Sequence, residues 1–260
     1  MKVLQINSVI NSGSTGKIAE DIGKFLIHEN NESHIAYGRN SRPSHSNRVK
    51  IGNKKTQTIH LLYTLLLDKQ GFASKRSTLK FIEHIKDIKP DIIHLHNLHG
   101  YYINIKVLFE CIKKIQKPVV WTFHDAWPFT GHCAYFDRAN CFKWQKECHH
   151  CPLTKAYPAS WLIDNSRKNF RQKGEIFNGL KNCTIVTPSK WLANHVKQSF
   201  LKNYPVKVIH NGVDQETFYP KENQREILKK YNIPEIPYIL GVAGIWTKRK
   251  GLADFFQLRK

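Results

Sequence analysis

Short β-branched runs alternating with longer amphipathic stretches constrain this chain more than any other feature. Val3 to Ile10, His34 to Tyr37, Asp91-Ile92-Ile93-His94-Leu95-His96 and Pro118-Val119-Val120-Trp121-Thr122-Phe123 each read as a strand. So do Thr184 to Thr187 and Val206 to Ile209. Between them, apolar residues return at helical spacing: Ile18, Ile22, Phe25 and Leu26 mark one face, and Ile105 to Ile115 another. Residues 57–88 also read as helical, with Pro90 as the break before the next strand, and Ser189 is placed to cap a later helix. Apolar strands each followed by an amphipathic helix predict a parallel sheet with right-handed crossovers, an α/β Rossmann-like fold with flanking helices. No internal repeat or low-complexity segment interrupts the pattern.

At 260 residues and 41% hydrophobic content the chain can bury a sizeable core. That excludes a disordered protein and a disulfide-stapled miniprotein. Its 41 Lys and Arg against 20 Asp and Glu leave a net charge of +21. Such a surplus favours anionic partners: phosphates, acidic lipid surfaces or nucleic acid. The first residues, Met1 to Asn7, make a poor signal peptide, because Gln5 and Asn7 interrupt the apolar run. The apolar stretch Leu61 to Leu67 is far too short to cross a membrane. The expected location is cytoplasmic, compatible with peripheral contact at the inner face of an anionic membrane. The cysteines are accordingly read as reduced thiols or metal ligands.

Two regions break the alternation. Residues 124–160 hold His, Trp, Pro and four Cys with no clear period and read as an inserted loop on the active face. Residues 215–237, with Pro220, Pro234 and Pro237, read as a linker containing a short helix. Tyr238 to Ala243 then begins a new buried strand, and a helix starts near Gly251. The expected organisation is a first domain over 1–220, a linker over 221–237 and one βα unit over 238–260. One βα unit is not a domain, so the sequence is expected to break off just inside a second Rossmann-like domain.

Candidate chemistry gathers at strand ends. Gly13-Ser14-Thr15-Gly16 lies between a strand and a helix, where backbone N–H groups suit a phosphate. The full three-glycine dinucleotide fingerprint is absent, and no acidic residue lies between His34 and Arg39 to hold a ribose, which argues against a nicotinamide-dependent oxidoreductase. His124-Asp125 follows a strand directly, where an imidazole can bind a sugar hydroxyl or phosphate and the carboxylate can orient it. His94, His96 and His99 form a second cluster, with His94 and His96 on one strand face. Cys133, Cys141, Cys148 and Cys151, beside His132, His149 and His150, suggest a structural tetrahedral zinc that would stiffen the loop carrying His124. A disulfide or redox role and unligated thiols remain open for them. Cys111 and Cys183, in apolar periodic stretches, are expected in the core.

These segments, in order, carry a resemblance. Gly13 to Ile18, Asp91 to His96, Thr122-Phe123-His124-Asp125-Ala126-Trp127-Pro128, Thr187 to Leu192 and Ile209-His210-Asn211-Gly212-Val213-Asp214 resemble the retaining glycosyltransferase family 4, most closely its bacterial colanic-acid and capsule type. The resemblance implies the GT-B architecture, two Rossmann-like domains with the acceptor held mainly by the first and a nucleotide-sugar donor by the second. It assigns Gly16 and its turn, with Gly13, to the donor diphosphate, places His124 at the donor sugar where catalysis occurs, and makes Asn211 to Asp214 the turn ahead of the linker. From the residues themselves, Asp125 is expected to act with His124, and His94, His96, His99 and Asn211 to line the acceptor-side cleft. Lys250, with Arg249, resembles the family's Lys-Gly that meets the diphosphate from the second domain. The family's glutamate-x7-glutamate motif falls beyond residue 260, so this chain is expected to lack a full donor site and to be inactive alone. The implied activity is transfer of a hexose to a glycan or lipid-diphosphate acceptor, with no cofactor required and no specific nucleic acid bound. The competing reading is a zinc-stabilised basic module that binds nucleic acid.

Overall fold

A computed structural model describes residues 1–220, 224–234, 236–237, 239–244, 246–247 and 250–258. In chain order it runs β1 (Lys2–Asn7), α1 (Gly13–His28), β2 (Glu32–Tyr37), β3 (Asn47–Lys50), α2 (Lys54–Leu67), α3 (Lys75–Ile88), β4 (Ile92–Leu95) and α4 (Ile105–Ile115). It continues with β5 (Val119–Thr122), three short 3-10 turns, α5 (Ser166–Phe177), β6 (Cys183–Thr187), α6 (Lys190–Val196), β7 (Val206–Val208), α7 (Gln224–Lys230) and α8 (Leu252–Gln257). The seven strands form one sheet in the order β3-β2-β1-β4-β5-β6-β7, and every pairing is parallel. This is the expected Rossmann-like α/β sheet.

The order reverses between β1 and β4. Loops leaving these two neighbours turn to opposite sides, and a crevice opens at their carboxyl ends. The sheet's middle is buried on both faces: Leu4, Ile6, Ile93, Leu95, Trp121 and Ile185 are inaccessible. Trp121 packs edge-on against Phe123 and Phe177 at 4.9 Å between centroids, joining β5 to α5.

Three features depart from the sequence reading. Residues 57–88 form two helices, α2 and α3, separated by a corner where Asp68 and Ser74 are left-handed and Gly71 has φ +84°. His60 holds that corner: Gly71 N–H donates to its Nε2 (3.1 Å), and its Nδ1 pairs with Ser74 Oγ (2.8 Å). Strand β3 and helix α5 were not expected, both being polar segments without a clear apolar period. Over 239–243 the described residues form no strand, in contrast to the expectation for Tyr238 to Ala243; Tyr238 itself lies outside the described residues.

The chain divides into two compact units, Met1–Asn211 and Gly212–Lys260. The first holds the whole sheet. Among the described residues the second contains α7 and α8.

Candidate functional site

At the reversal point, a pocket of about 390 Å³ opens over the carboxyl ends of the strands. Every strand loop on that edge except β3's contributes: Gly13, Ser14 and Thr15 after β1, Arg39 after β2, His99 after β4, His124 and Asp125 after β5, Pro188 after β6 and Asn211 after β7. His124 and the Gly13 turn thus line the same pocket.

A chain of hydrogen bonds fixes the protonation of His124. Gln5 Nε2 donates to the Ala19 carbonyl (2.9 Å), which turns Gln5 Oε1 toward His96 Nε2 (3.0 Å). An amide oxygen only accepts, so His96 Nε2 carries the proton and its Nδ1 carries a lone pair. That lone pair faces His124 Nε2 at 3.1 Å, so His124 Nε2 donates. His124 is left with an accepting Nδ1. Burial supports the neutral forms, pulling His124 and His94 down to about 4 and His96 well below its ordinary value.

Asp125 serves a different partner from the one anticipated. Its carboxylate binds His99 Nε2 at 2.7 Å and accepts from Trp127 N–H at 2.9 Å, rather than orienting His124. Burial alone would raise its pKa, but the His99 ring and the Trp127 N–H hold it below the ordinary value. With that carboxylate ionised, His99 Nε2–H donates to it. His99 Nδ1 lies 2.9 Å from the Tyr157 hydroxyl. The Tyr157 proton is secure, because burial raises its pKa.

Other expected residues are sorted by the fold. His94 is buried, its Nε2 2.8 Å from Thr122 Oγ1, and is a sheet residue rather than a cleft residue. His96 is likewise buried, between Gln5 and His124. Gly16 does not line the pocket. A Cβ there would stand 3.0 Å from Val9 Cγ2 and 3.2 Å from Asn11 N, so glycine lets the first turn of α1 press on the loop after β1. The pocket instead receives Gly13 (φ +62°), Ser14 and Thr15. The Ser12 side chain does not cap α1, and no acidic residue occupies its first turn. Lys250 is exposed in the second unit, and Arg249 lies outside the described residues.

Arg39 is a charged pocket residue that the sequence reading missed. Its guanidinium carbon stands 5.7 Å from the Tyr101 ring centroid, and its buried Nε has no hydrogen-bond partner among the described residues. The available signal was its place two residues beyond the end of β2.

The four cysteines of the expected zinc site come together in one loop. Cys133, Cys141, Cys148 and Cys151 line one small cavity, and the Cys133 and Cys151 thiols share a hydrogen bond. Yet among the described residues no group of three or more His, Cys, Asp or Glu side chains is arranged to hold a metal ion. Aromatic packing and buried polar contacts stiffen this loop. Trp144 meets Phe129 and Phe136 at 4.9 and 5.0 Å. His132 Nδ1 lies 2.6 Å from Asp68 Oδ1. Buried Lys173 donates to the Trp127 and Thr130 carbonyls at 2.8 and 3.0 Å, with its ammonium 3.5 Å from the Trp127 ring centroid. Of the two cysteines expected in the core, Cys183 is buried and Cys111 half-buried.

A sucrose-phosphate synthase from Thermosynechococcus elongatus superposes with a TM-score of 0.54 at 10% identity, covering 90% of this chain and 53% of that one. That likeness shows the shared fold. The putative colanic acid biosynthesis glycosyl transferase WcaC of Escherichia coli (strain K12) is 27% identical over 234 residues, 84% of this chain and 56% of that protein. The chain thus spans about half the length of the curated relative it matches. The profile of Glycosyltransferase Family 4 matches residues 16–217, which contain the whole sheet beyond β1 and most of the pocket. The chain belongs to glycosyltransferase family 4.

Proposed function

We propose that the gene product carrying this chain transfers a hexose from a nucleotide-diphosphate sugar to a glycan or lipid-diphosphate acceptor in cell-surface polysaccharide assembly, with retention at the anomeric carbon. The observation that carries the reading is one pocket holding a neutral, accepting His124 Nδ1 beside an uncapped helix N-terminus and the Arg39 guanidinium. The name of the Escherichia coli relative supports the substrate class.

Each group has a task suited to its chemistry. The Nδ1 lone pair repels phosphate oxygen and accepts from a hydroxyl, so His124 positions the sugar. The first-turn N–H groups of α1 and Arg39 meet anionic oxygens and oppose the charge that builds on a departing diphosphate. Asp125, His99 and Tyr157 form a positioning relay that holds the loop after β5 against the loop after β4. Lys250 and Arg249 keep their proposed assignment as diphosphate-binding residues. The proposed setting is cytoplasmic, at the inner face of an anionic membrane; no described helix is long and apolar enough to cross one. The nucleic-acid alternative has no comparable support, since the polar groups converge in a pocket rather than along a basic groove-reading helix.

The test is transfer of label from UDP- and GDP-hexoses to a lipid extract by the whole gene product. His124→Ala should lower kcat by roughly 100-fold or more, the range found when one positioned polar group is lost. Arg39→Gln should weaken donor or acceptor binding more than turnover. Full activity in His124→Ala would overturn the assignment.

A further inference from the structure

Helix α2 is inside out. Its buried positions are polar, His60 and Thr64, while Ile59, Leu62, Tyr63 and Leu66 face solvent, each between 39% and 54% exposed. These four recur at helical spacing and so form one stripe along about 10 Å of helix. An amphipathic helix on a soluble domain normally turns that stripe inward.

The stripe continues onto a second segment. Trp161 N–H donates to the Leu65 carbonyl at 2.7 Å, and Ser160 Oγ donates to the Ile163 carbonyl at 2.7 Å, which pins this turn beside α2. Trp161 and Leu162 nevertheless stand 65% and 74% exposed. A contiguous patch of this kind marks an interaction surface. Its border is basic. Tyr63 also lines a groove of about 420 Å³ whose walls carry Lys69, Lys75, Lys106 and Lys168 against a single carboxylate, Glu110.

We infer that this face docks on an anionic lipid bilayer, with the α2 stripe and the Trp161-Leu162 tip in the headgroup–acyl boundary and the lysine groove on acidic headgroups. Charge complementarity selects this occupant. Two copies meeting through the patch would set lysine rim against lysine rim on chains that each carry +21. Trp and Tyr beside an aliphatic stripe, with Lys at the border, match the polarity gradient of a membrane interface. The assignment supplies the membrane-facing surface that a lipid-borne acceptor requires, and it rests on the proposed function for its purpose alone.

Flotation of the full chain with vesicles tests it. Vesicles of phosphatidylcholine containing about 30% phosphatidylglycerol should carry the protein up the gradient, and pure phosphatidylcholine should carry far less, because each interfacial lysine adds its own attraction. Leu62→Ser combined with Trp161→Ser should cut partitioning at least about tenfold. Lys69→Gln combined with Lys168→Gln should cut it roughly tenfold on the anionic vesicles only. All four side chains lie at the surface or a groove wall, so circular dichroism should report unchanged melting and exclude misfolding as the cause.

Three results would overturn the inference: no flotation with anionic vesicles, undiminished flotation of the Leu62/Trp161 variant, or a solution dimer that Leu62→Ser dissolves while vesicles recruit nothing. Sugar transfer is not read in this assay, so its failure leaves the enzymatic proposal standing.

Discussion

At the residue scale, the fold keeps several histidines neutral, and stability should carry that signature. His60 is held by a Gly71 N–H donated into its Nε2, and burial pulls it down to about 3; His94 is pulled to about 4. An unfolded chain protonates both near pH 6.5, whereas the folded chain resists until far lower pH. Their neutral burial is therefore without penalty above pH 6.5 and increasingly destabilising below it. Between about pH 7 and pH 5 each should remove about 2 kcal/mol. Urea midpoints measured across that range should fall with pH, and His94→Gln should flatten the slope. A wild-type stability unchanged at pH 5 would show that these rings ionise freely. Lys173 belongs to the same scale: Lys173→Met strands the Trp127 and Thr130 carbonyls and should cost about 2–3 kcal/mol in the same assay. The sequence exposed His124 because a strand end announces itself locally. It hid the partners that set His124's tautomer, since Gln5 lies 91 residues from His96, and it hid Tyr157, 58 residues from His99.

At the element scale, legibility followed burial. β4, β5 and β6 were readable because both faces of a central parallel strand are covered, leaving unbroken apolar runs. β3 was unreadable for the opposite reason: Asn47-Arg48-Val49-Lys50 is a largely exposed edge strand, and its polar residues blunt that edge. α5 escaped notice because its core contacts come from Phe170, Phe177 and a buried lysine rather than a full apolar stripe. The α2–α3 corner was hidden by α2 itself, whose apolar residues prolong the pattern while facing outward. Capping is the local chemistry that fixes where α4 begins. Asn104 Oδ1 accepts from Val107 N–H at 3.1 Å, and its Nδ2 donates to the Phe72 carbonyl at 2.6 Å, so one side chain ties the helix start to the α2–α3 corner. Asn104→Ala should lower stability by about 2 kcal/mol, near the upper range for a lost N-cap, whereas Asn104→Asp, keeping the acceptor, should lose less. Chemical denaturation of the two variants checks the order.

At the scale of the whole molecule, the fold's cooperativity should reside in the first unit. All seven strands, the aromatic cluster around Trp121 and the pocket loops through Asn211 lie within Met1–Asn211. β7 closes the sheet by pairing with β6 from Ile185↔Val206 to Thr187↔Val208. Beyond it, Ile209 N–H still donates to the Thr187 carbonyl at 3.0 Å, and His210 Nδ1 to the Pro188 carbonyl at 2.9 Å. The described part of the second unit offers no comparable burial: Ile239, Leu240 and Val242 are all exposed, and α8 buries no residue. Apolar burial is the main favourable contribution to folding, so removing residues that bury little should remove little stability. The chain ended after Asn211 should therefore melt cooperatively within a few degrees of the full chain, keep its far-ultraviolet helical signal, and still float with anionic vesicles through α2 and Trp161. Ending it instead before Val206 should be severe, because β6 would become an unpaired edge. A broad, non-cooperative transition in the Asn211-ended chain would mean that residues after 211 contribute to the core of the first unit.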